Sequence, residues 1–462
     1  MIPRPGPGVA IAAAFRPRLS LVDPRKLLDG RSNPLPHGTL PVGAGLLVGG
    51  VTAYGFLAIS ARALGPELYA PLGVLWALMF VAGPGFFLPL EQEVGRALAS
   101  RRARGLGGGP LIRRAALAGG VAVTLLILLT AFGGGFLLDH LFDGKILLVA
   151  GFMFGLVAYF AEYLVRGVLS GNGRFRTYGL VIGAESGVRL VACVALAVVG
   201  VKTAGPYGMA LGLAPFAATA LALRRERDLV TPGPNAPWAE LSTALGFLLA
   251  GSVLAQLLVN AGVLAVQVLA EPDQKAVAGR FLNGLIIARV PLFMFQAVQA
   301  ALLPKLAGLA GAGRHAEFRI GLKRLLTVVV AIGVAGTLGA FALGPQVVNI
   351  LFGAGFELSR TDLGYLAGAS AAYMLALALA QALIALSAYA KVVVGWAVGI
   401  ITFVVVTATQ HGLLARCERG FLAGSAAAAV VMGALVLNQL SQGVAVSADE
   451  LVDASHQVPI EP

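Results

Sequence analysis

The chain has 462 residues, of which 58% are hydrophobic and only 12% charged, with a mean hydropathy of +0.85. That balance leaves too little polar surface to cover a water-soluble globule of this length, so the sequence is that of a polytopic, all-α membrane protein. The net charge of +12 reports orientation and anionic head groups; with no basic-aromatic pattern beside it, nucleic acid is excluded as a partner.

Residues 1–39, rich in Pro and Arg, predict a disordered cytoplasmic tail, with "MIPRPGPGVAIAAAFRP" reading alternatively as a missed start site or a poor signal peptide. A membrane helix needs about 20 mostly apolar residues. Such stretches are expected at 41–63, 70–90, 115–137, 146–167, 178–200, 204–223, 243–269, 281–303, 324–344, 363–386, 390–409 and 420–440, making twelve spans. The first six form an N-terminal bundle over 40–223 and the last six a C-terminal bundle over 242–440. Between them "RRERDLVTPGPNAPWAEL" in 224–241 has the Pro, Gly and charge of a cytoplasmic linker, and the polar, acidic stretch 441–462 predicts a second disordered cytoplasmic tail.

Basic residues orient the chain. With both termini cytoplasmic, 24 of the 34 Lys and Arg fall on the inner side, eight outside, and two, Arg189 and Arg289, within spans. The reverse topology would violate the positive-inside rule. An internal repeat supports the division: "GPGFFLPLEQEVGRALASRRARG" carries Pro84, Phe86 and Phe87 into a basic loop, and "VPLFMFQAVQAALLPKLAGLAGAGR" carries Pro291, Phe293 and Phe295 into another, six spans later. An even separation gives the two halves the same orientation, as in transporters built from parallel repeats.

Active-site chemistry has no visible home. Cys193 lies in a span and Cys417 in an outer loop, at depths that cannot pair. The five histidines lack ligand spacing, and no nucleophile elbow, phosphate-binding loop or paired loop carboxylates appear. The expectation is no enzyme, no cofactor and no metal.

Polar groups within spans are the candidates instead, because an arginine at the centre of a membrane helix costs roughly 2.5–3.5 kcal/mol on insertion scales. At 1.5 Å rise per residue, Arg289 lies about 12 Å from the outer end of span 8 and Arg189 about 18 Å from the inner end of span 5, one near the midplane of each half. Arg289, Gln296 and Gln299 share a helix face, as do Ser252, Gln256, Asn260 and Gln267. Such stripes must turn toward protein or water. Glu185 precedes Arg189, and Glu162 precedes Arg166, by four residues, so each carboxylate can partner its arginine. Bland readings stand beside these. Arg166 is near enough to the inner end of its span to snorkel to head groups, Glu185 with Arg189 can be a neutral structural pair, and the amides can simply join helices. Arg289 has no acidic residue three or four positions away and lies beside Pro291, which favours a cavity role.

Guanidinium forks suit phosphate oxygens, so an anionic, phosphorylated substrate is expected. Along residues 40–440, "ARALGPELYAPLGVLWAL", "RGVLSGNGRFRTYGLVIGAESGVRL", "RVPLFMFQAVQAALLPKLAGLAGAGRHAEFR" and "ILFGAGFELSRTDLGYLA" resemble, in order, the polysaccharide biosynthesis proteins. These are Wzx-type lipid-linked oligosaccharide flippases of the multidrug/oligosaccharidyl-lipid/polysaccharide exporter superfamily. The resemblance implies two six-helix bundles in a V around a central cavity, alternating access in the bacterial inner membrane, and a glycan on polyprenyl pyrophosphate as substrate. It implies glycosyltransferases or a glycan polymerase as partners, besides the bilayer. It further implies that Arg189 and Arg289, with Arg166 at the inner mouth, hold the head group. Glu162 and Glu185 are then ion-pair partners or sites of ion coupling. Rivals are a multidrug or cation antiporter of the same superfamily, a lipid II flippase and, of another class, a membrane glycosyltransferase or polymerase. The short outer loops, near 345–362 and 410–419, offer that last one little room.

Overall fold

The structure, a computed structural model, describes residues 39–456 except 227, 242–244, 293, 294, 296–305, 307 and 354. In a bilayer every backbone amide and carbonyl must be satisfied within its own segment, which leaves helices as the spanning element for apolar runs like these. The helices are α1 (Thr39–Phe80), α2 (Leu88–Ala103), α3 (Gly109–Phe132), α4 (Ile146–Gly171), α5 (Phe175–Val198), α6 (Ala204–Arg225), α7 (Leu245–Leu269), α8 (Lys275–Ala288), α9 (His315–Phe352), α10 (Arg360–Ala385), α11 (Tyr389–Thr409) and α12 (Leu413–His456). The molecule is an all-helical, multi-pass membrane protein.

Ten continuous stretches among the described residues are long and apolar enough to cross a membrane, against the twelve expected. The difference has two sources. Residues 41–63 and 70–90 fall into one stretch, Pro41–Ala103, and the expected span 281–303 begins in α8 and then leaves the described residues. The long stretch is not straight. At Gly65 the backbone takes φ 75°, ψ 165°, a conformation that only glycine adopts cheaply, and Pro66 follows. The chain folds back there, so that Phe56 stacks on Trp76 with ring centroids 5.6 Å apart, although a continuous helix would hold residues 20 apart about 30 Å from each other. The first pair of spans is thus a helical hairpin. Its second arm carries a π-helical segment, Val81–Phe87, around Pro84, which lacks the N–H a regular turn needs.

Most helices pack most closely within their own half, whereas α8 packs most closely on α1 of the other half. In the first, α1 packs on α5, and α4 on α6 and α2; in the second, α9 and α11 flank α10 and α12, and α7 packs on α11. Small residues bring backbones together: a Cβ on Gly212 of α6 would stand 2.1 Å from the Gly151 carbonyl of α4, so no side chain fits there.

The tail 1–39 lies outside the described residues except Thr39, which begins α1. Helix α12 continues past the expected boundary at 440 to His456, where "AVSADELVDASH" contains no proline or glycine and helix propagation is cheap once nucleated. Its apolar part ends at Ser441. Cys417, expected in an outer loop, is instead buried within α12, and both cysteines are free.

The linker region is docked rather than loose. Leu229, Ala236 and Leu241 are buried in a small core with Leu90, Val94 and Leu98 of α2. The fully buried Arg101 donates to the carbonyls of Gly107 and Pro234 and pairs with Glu240 at 2.8 Å.

Candidate functional site

Two buried polar sites lie within the spans. The first belongs wholly to the N-terminal half. On α5, Arg189 Nη1 stands 2.5 Å from Glu185 Oε1, the contact that the four-residue spacing predicts. Tyr159 of α4 donates its hydroxyl to the same oxygen at 3.3 Å, and Ser186 to Glu185 Oε2 at 3.2 Å. The guanidinium carbon lies 5.1 Å from the Trp76 ring centre and 6.0 Å from that of Phe56, covering the face of the ion that takes no acceptor. Arg189 and Glu185 are both buried.

About two helical turns beyond Tyr159 on α4, Arg166 is held between two carboxylates. Its Nη1 is 3.5 Å from Glu162 Oε1, and its Nη2 is 3.1 Å from Glu91 Oε2 of α2. Tyr178 of α5 donates to Glu91 Oε1 at 2.6 Å, and the rings of Tyr163 and Tyr178 lie 4.5 and 5.3 Å from the guanidinium. Arg166 was expected to line the inner mouth or snorkel to head groups; in the structure it is paired with two carboxylates. Its side chain is 13% exposed, with Nη2 directed at Glu91. Glu91 is the residue that sequence reasoning missed. It sits one position past an expected span, beside the basic loop, and its only signal was a carboxylate at the end of an apolar run.

These groups form one cluster of three carboxylates, Glu91, Glu162 and Glu185, against two guanidiniums. Glu162 is 1% exposed and its Oε2 takes no hydrogen bond among the described residues. The arrangement cancels the charge of its own arginines, although Arg166 Nε and Arg189 Nε take no hydrogen bond among the described residues.

The second site stands where the two halves meet. Helix α8 ends at Ala288, Arg289 caps it, and Pro291 follows. In the last turn of α8 the Ile286 carbonyl, which also accepts the Arg289 N–H, accepts the hydroxyl of Tyr54 from α1 at 3.2 Å, a bond between the halves. The Arg289 guanidinium donates to Asn260 Oδ1 at 3.3 Å and to the Val259 carbonyl, both on α7. Asn260 is held in place by its own donation to the Gln256 carbonyl at 2.9 Å. Tyr373 of α10 donates to the Ala255 carbonyl at 3.2 Å, fixing the same stretch of α7. Arg289 is half-buried, its Nε takes no acceptor, and no carboxylate pairs with it among the described residues.

The predicted stripe on α7 divides. Asn260 and Gln256 border Arg289, Ser252 donates to the Pro84 carbonyl of the opposite half at 2.8 Å, and Gln267 lies at the far end beside Asp143. Gln296 and Gln299 lie outside the described residues.

No protein-family model matches the chain. It is 24% identical to "Uncharacterized protein Rv1510" of Mycobacterium tuberculosis (strain ATCC 25618 / H37Rv) over 80% of this chain and 86% of that protein. It is equally similar to "Uncharacterized protein Rv3630" of the same strain, over 77% and 81%. Among solved structures, an inward-facing multidrug resistance MATE family transporter of the MOP superfamily superposes with a TM-score of 0.69 at 14% identity, covering 89% of this chain and all of that one. An outward-facing MATE family transporter of the same superfamily gives 0.62 at 16% identity, over 88% and 95%. The chain has the fold of MATE transporters, two helical bundles in one membrane protein.

Proposed function

We propose that the protein is an alternating-access membrane transporter that moves an anionic, lipid-linked head group, a polyprenyl-pyrophosphate-linked oligosaccharide or polysaccharide precursor, across the cytoplasmic membrane. The observation that carries this reading is Arg289. It is a guanidinium at the junction of the halves whose described partners are all neutral, so its charge stays available to an anion. Arg189 and Arg166 are spent on Glu185, Glu91 and Glu162, which removes them from the head-group site and leaves Arg289, Asn260 and Gln256 as its core. Rocking of the bundles would expose that site to either side in turn while the lipid tail stays in the bilayer. Glycosyltransferases or a glycan polymerase would supply and consume such a substrate, and both chain termini would face the cytoplasm.

One observation favours a second reading. The solved transporters of this fold are multidrug carriers, and the third carboxylate of the N-terminal cluster gives that half an excess of negative charge suited to cation-driven antiport. The two are separated in reconstituted vesicles by assaying flipping of a labelled polyprenyl-pyrophosphate sugar beside efflux of a lipophilic cation. The anionic reading expects sugar-lipid flipping that weakens in Arg289→Lys, which keeps the charge but loses the fork, and fails in Arg289→Ala. Cation efflux that survives both substitutions, with no flipping, would overturn it in favour of antiport.

A further inference from the structure

The end of the molecule away from the linker, where α3 turns into α4 and α7 into α8, carries a second contact between the halves that neither site uses. Asp143 belongs to the N-terminal half and Lys275 is the first residue of α8 in the C-terminal half. Lys275 Nζ lies 3.1 Å from Asp143 Oδ1, and Gln267 Nε2 of α7 lies 3.5 Å from the same oxygen. Lys145 Nζ stands 4.0 Å from Asp143 Oδ2, so the carboxylate is shared between its own half and the other. The turn is built to aim it. Asp143 has φ 49° and Gly144 φ 74°, a left-handed pair in which a side chain other than glycine's is uncommon and aspartate is among the better tolerated. Burial lowers the Lys145 ammonium from its usual value, while Asp143 and Glu67 raise it and Lys275 lowers it, which places four charges in one patch.

Around this patch the halves fit closely. A Cβ on Gly279 of α8 would stand 2.2 Å from the Pro66 carbonyl, so that glycine is what permits the approach. Leu282 fills the space over Gly73, and Tyr69 meets the edge of Phe356 at 5.8 Å between centroids. The Arg62 guanidinium donates to the Ile350 carbonyl. Tyr69, Leu282 and Phe356 are all buried. These contacts join α1 of one half to α8, α9 and the segment after α9 of the other.

We propose that Asp143 and Lys275 form a charge latch across the two halves, and that its rupture is a step in opening the end away from the linker during transport. Apolar and small-residue contacts hold the seam by area alone and weaken gradually as it parts. The ion pair is directional and breaks within a few ångströms. With Asp143 13% and Lys275 36% exposed, the pair is strong enough to bias the closed state and weak enough to open repeatedly. The inference requires only that the halves rock, and holds for either substrate.

The test needs no substrate, so its outcome is separate from that of the Arg289 assay. Full-length protein in lipid nanodiscs carries Leu282→Cys as a reporter of the seam; the native Cys193 and Cys417 are buried and contribute little background. Asp143→Asn and Lys275→Gln are each expected to raise labelling of the introduced thiol by a water-soluble maleimide roughly two- to fivefold, the range of a partly exposed pair. The double substitution should do no more than either single one, since both remove the same contact. Labelling unchanged in both single variants, or effects that multiply in the double variant, would overturn the latch. Melting temperatures near that of the parent exclude general unfolding as the source of reactivity.

Discussion

Arg189 and Arg289 look alike in the sequence, each a lone cation near the middle of a span in its own half, yet the structure treats them oppositely. Arg189 is enclosed by its own bundle, with Glu185 at 2.5 Å and Trp76 over its face. Arg289 stands at the seam between bundles and is met by an amide oxygen and a backbone carbonyl. The difference shows that depth in the membrane does not by itself mark a binding residue. A cation whose charge is already cancelled holds helices together. One stabilised only by neutral dipoles carries a standing electrostatic cost that a bound anion would relieve.

The largest expected effect comes from breaking the cancelled pair. Arg189→Ala strands the Glu185 carboxylate among Tyr159, Ser186 and apolar side chains, and truncating one partner of a buried pair costs about 3–5 kcal/mol. Thermal unfolding of the purified protein in detergent should show a large fall in melting temperature. Adding Glu185→Gln should recover part of it. A melting temperature unchanged by Arg189→Ala would mean that the pair is not structural and that the two arginines are more alike than their contacts suggest.

A middle-sized effect is expected at Asn260. Its Oδ1 is one of the two acceptors that hold Arg289, so Asn260→Ala leaves the guanidinium with the Val259 carbonyl and should cost about 1–3 kcal/mol. The informative comparison is with the double variant Asn260→Ala, Arg289→Ala. If Asn260 acts by satisfying Arg289, removing both should be milder than removing Asn260 alone; equal losses would assign Asn260 to helix packing instead.

Much of this contrast could be read from the sequence, and the unread part has a common cause. Spans follow from local hydropathy, and the Glu185–Arg189 and Glu162–Arg166 neighbours follow from helical periodicity, since both depend on residues close in the chain. Glu91 meets Arg166 across 75 positions and Tyr54 meets the Ile286 carbonyl across 232, and no pattern within one helix encodes either contact. The pairing of Arg166 with Glu91 was unread for that reason: an interfacial position predicts snorkelling, and the carboxylate lies on another helix. The fold-back at Gly65 was local and legible as Gly-Pro. There a single left-handed residue reverses the chain between the expected spans 41–63 and 70–90. The helical end of α12 shows the converse, a polar segment extended by the helix that precedes it.

The smallest effect on stability is expected where the effect on function is greatest. Arg289→Ala removes two hydrogen bonds, each worth about 1.5–3 kcal/mol to a charged donor. It also removes the desolvation cost of a cation that has no carboxylate partner among the described residues, a cost of several kcal/mol before relaxation. The two nearly cancel, because the acceptors left behind are neutral, one a backbone carbonyl and the other an amide oxygen, and neither is stranded as a buried charge. The melting temperature of Arg289→Ala should therefore lie close to the parent's, within the shift that about 1 kcal/mol produces, while that of Arg189→Ala falls well below both. A soluble pyrophosphate added to the parent should raise its melting temperature by mass action and leave Arg289→Ala unmoved. Should Arg289→Ala instead unfold as readily as Arg189→Ala, or should pyrophosphate stabilise both proteins equally, Arg289 would be one more structural cation and the seam between the bundles would need another anion-binding group.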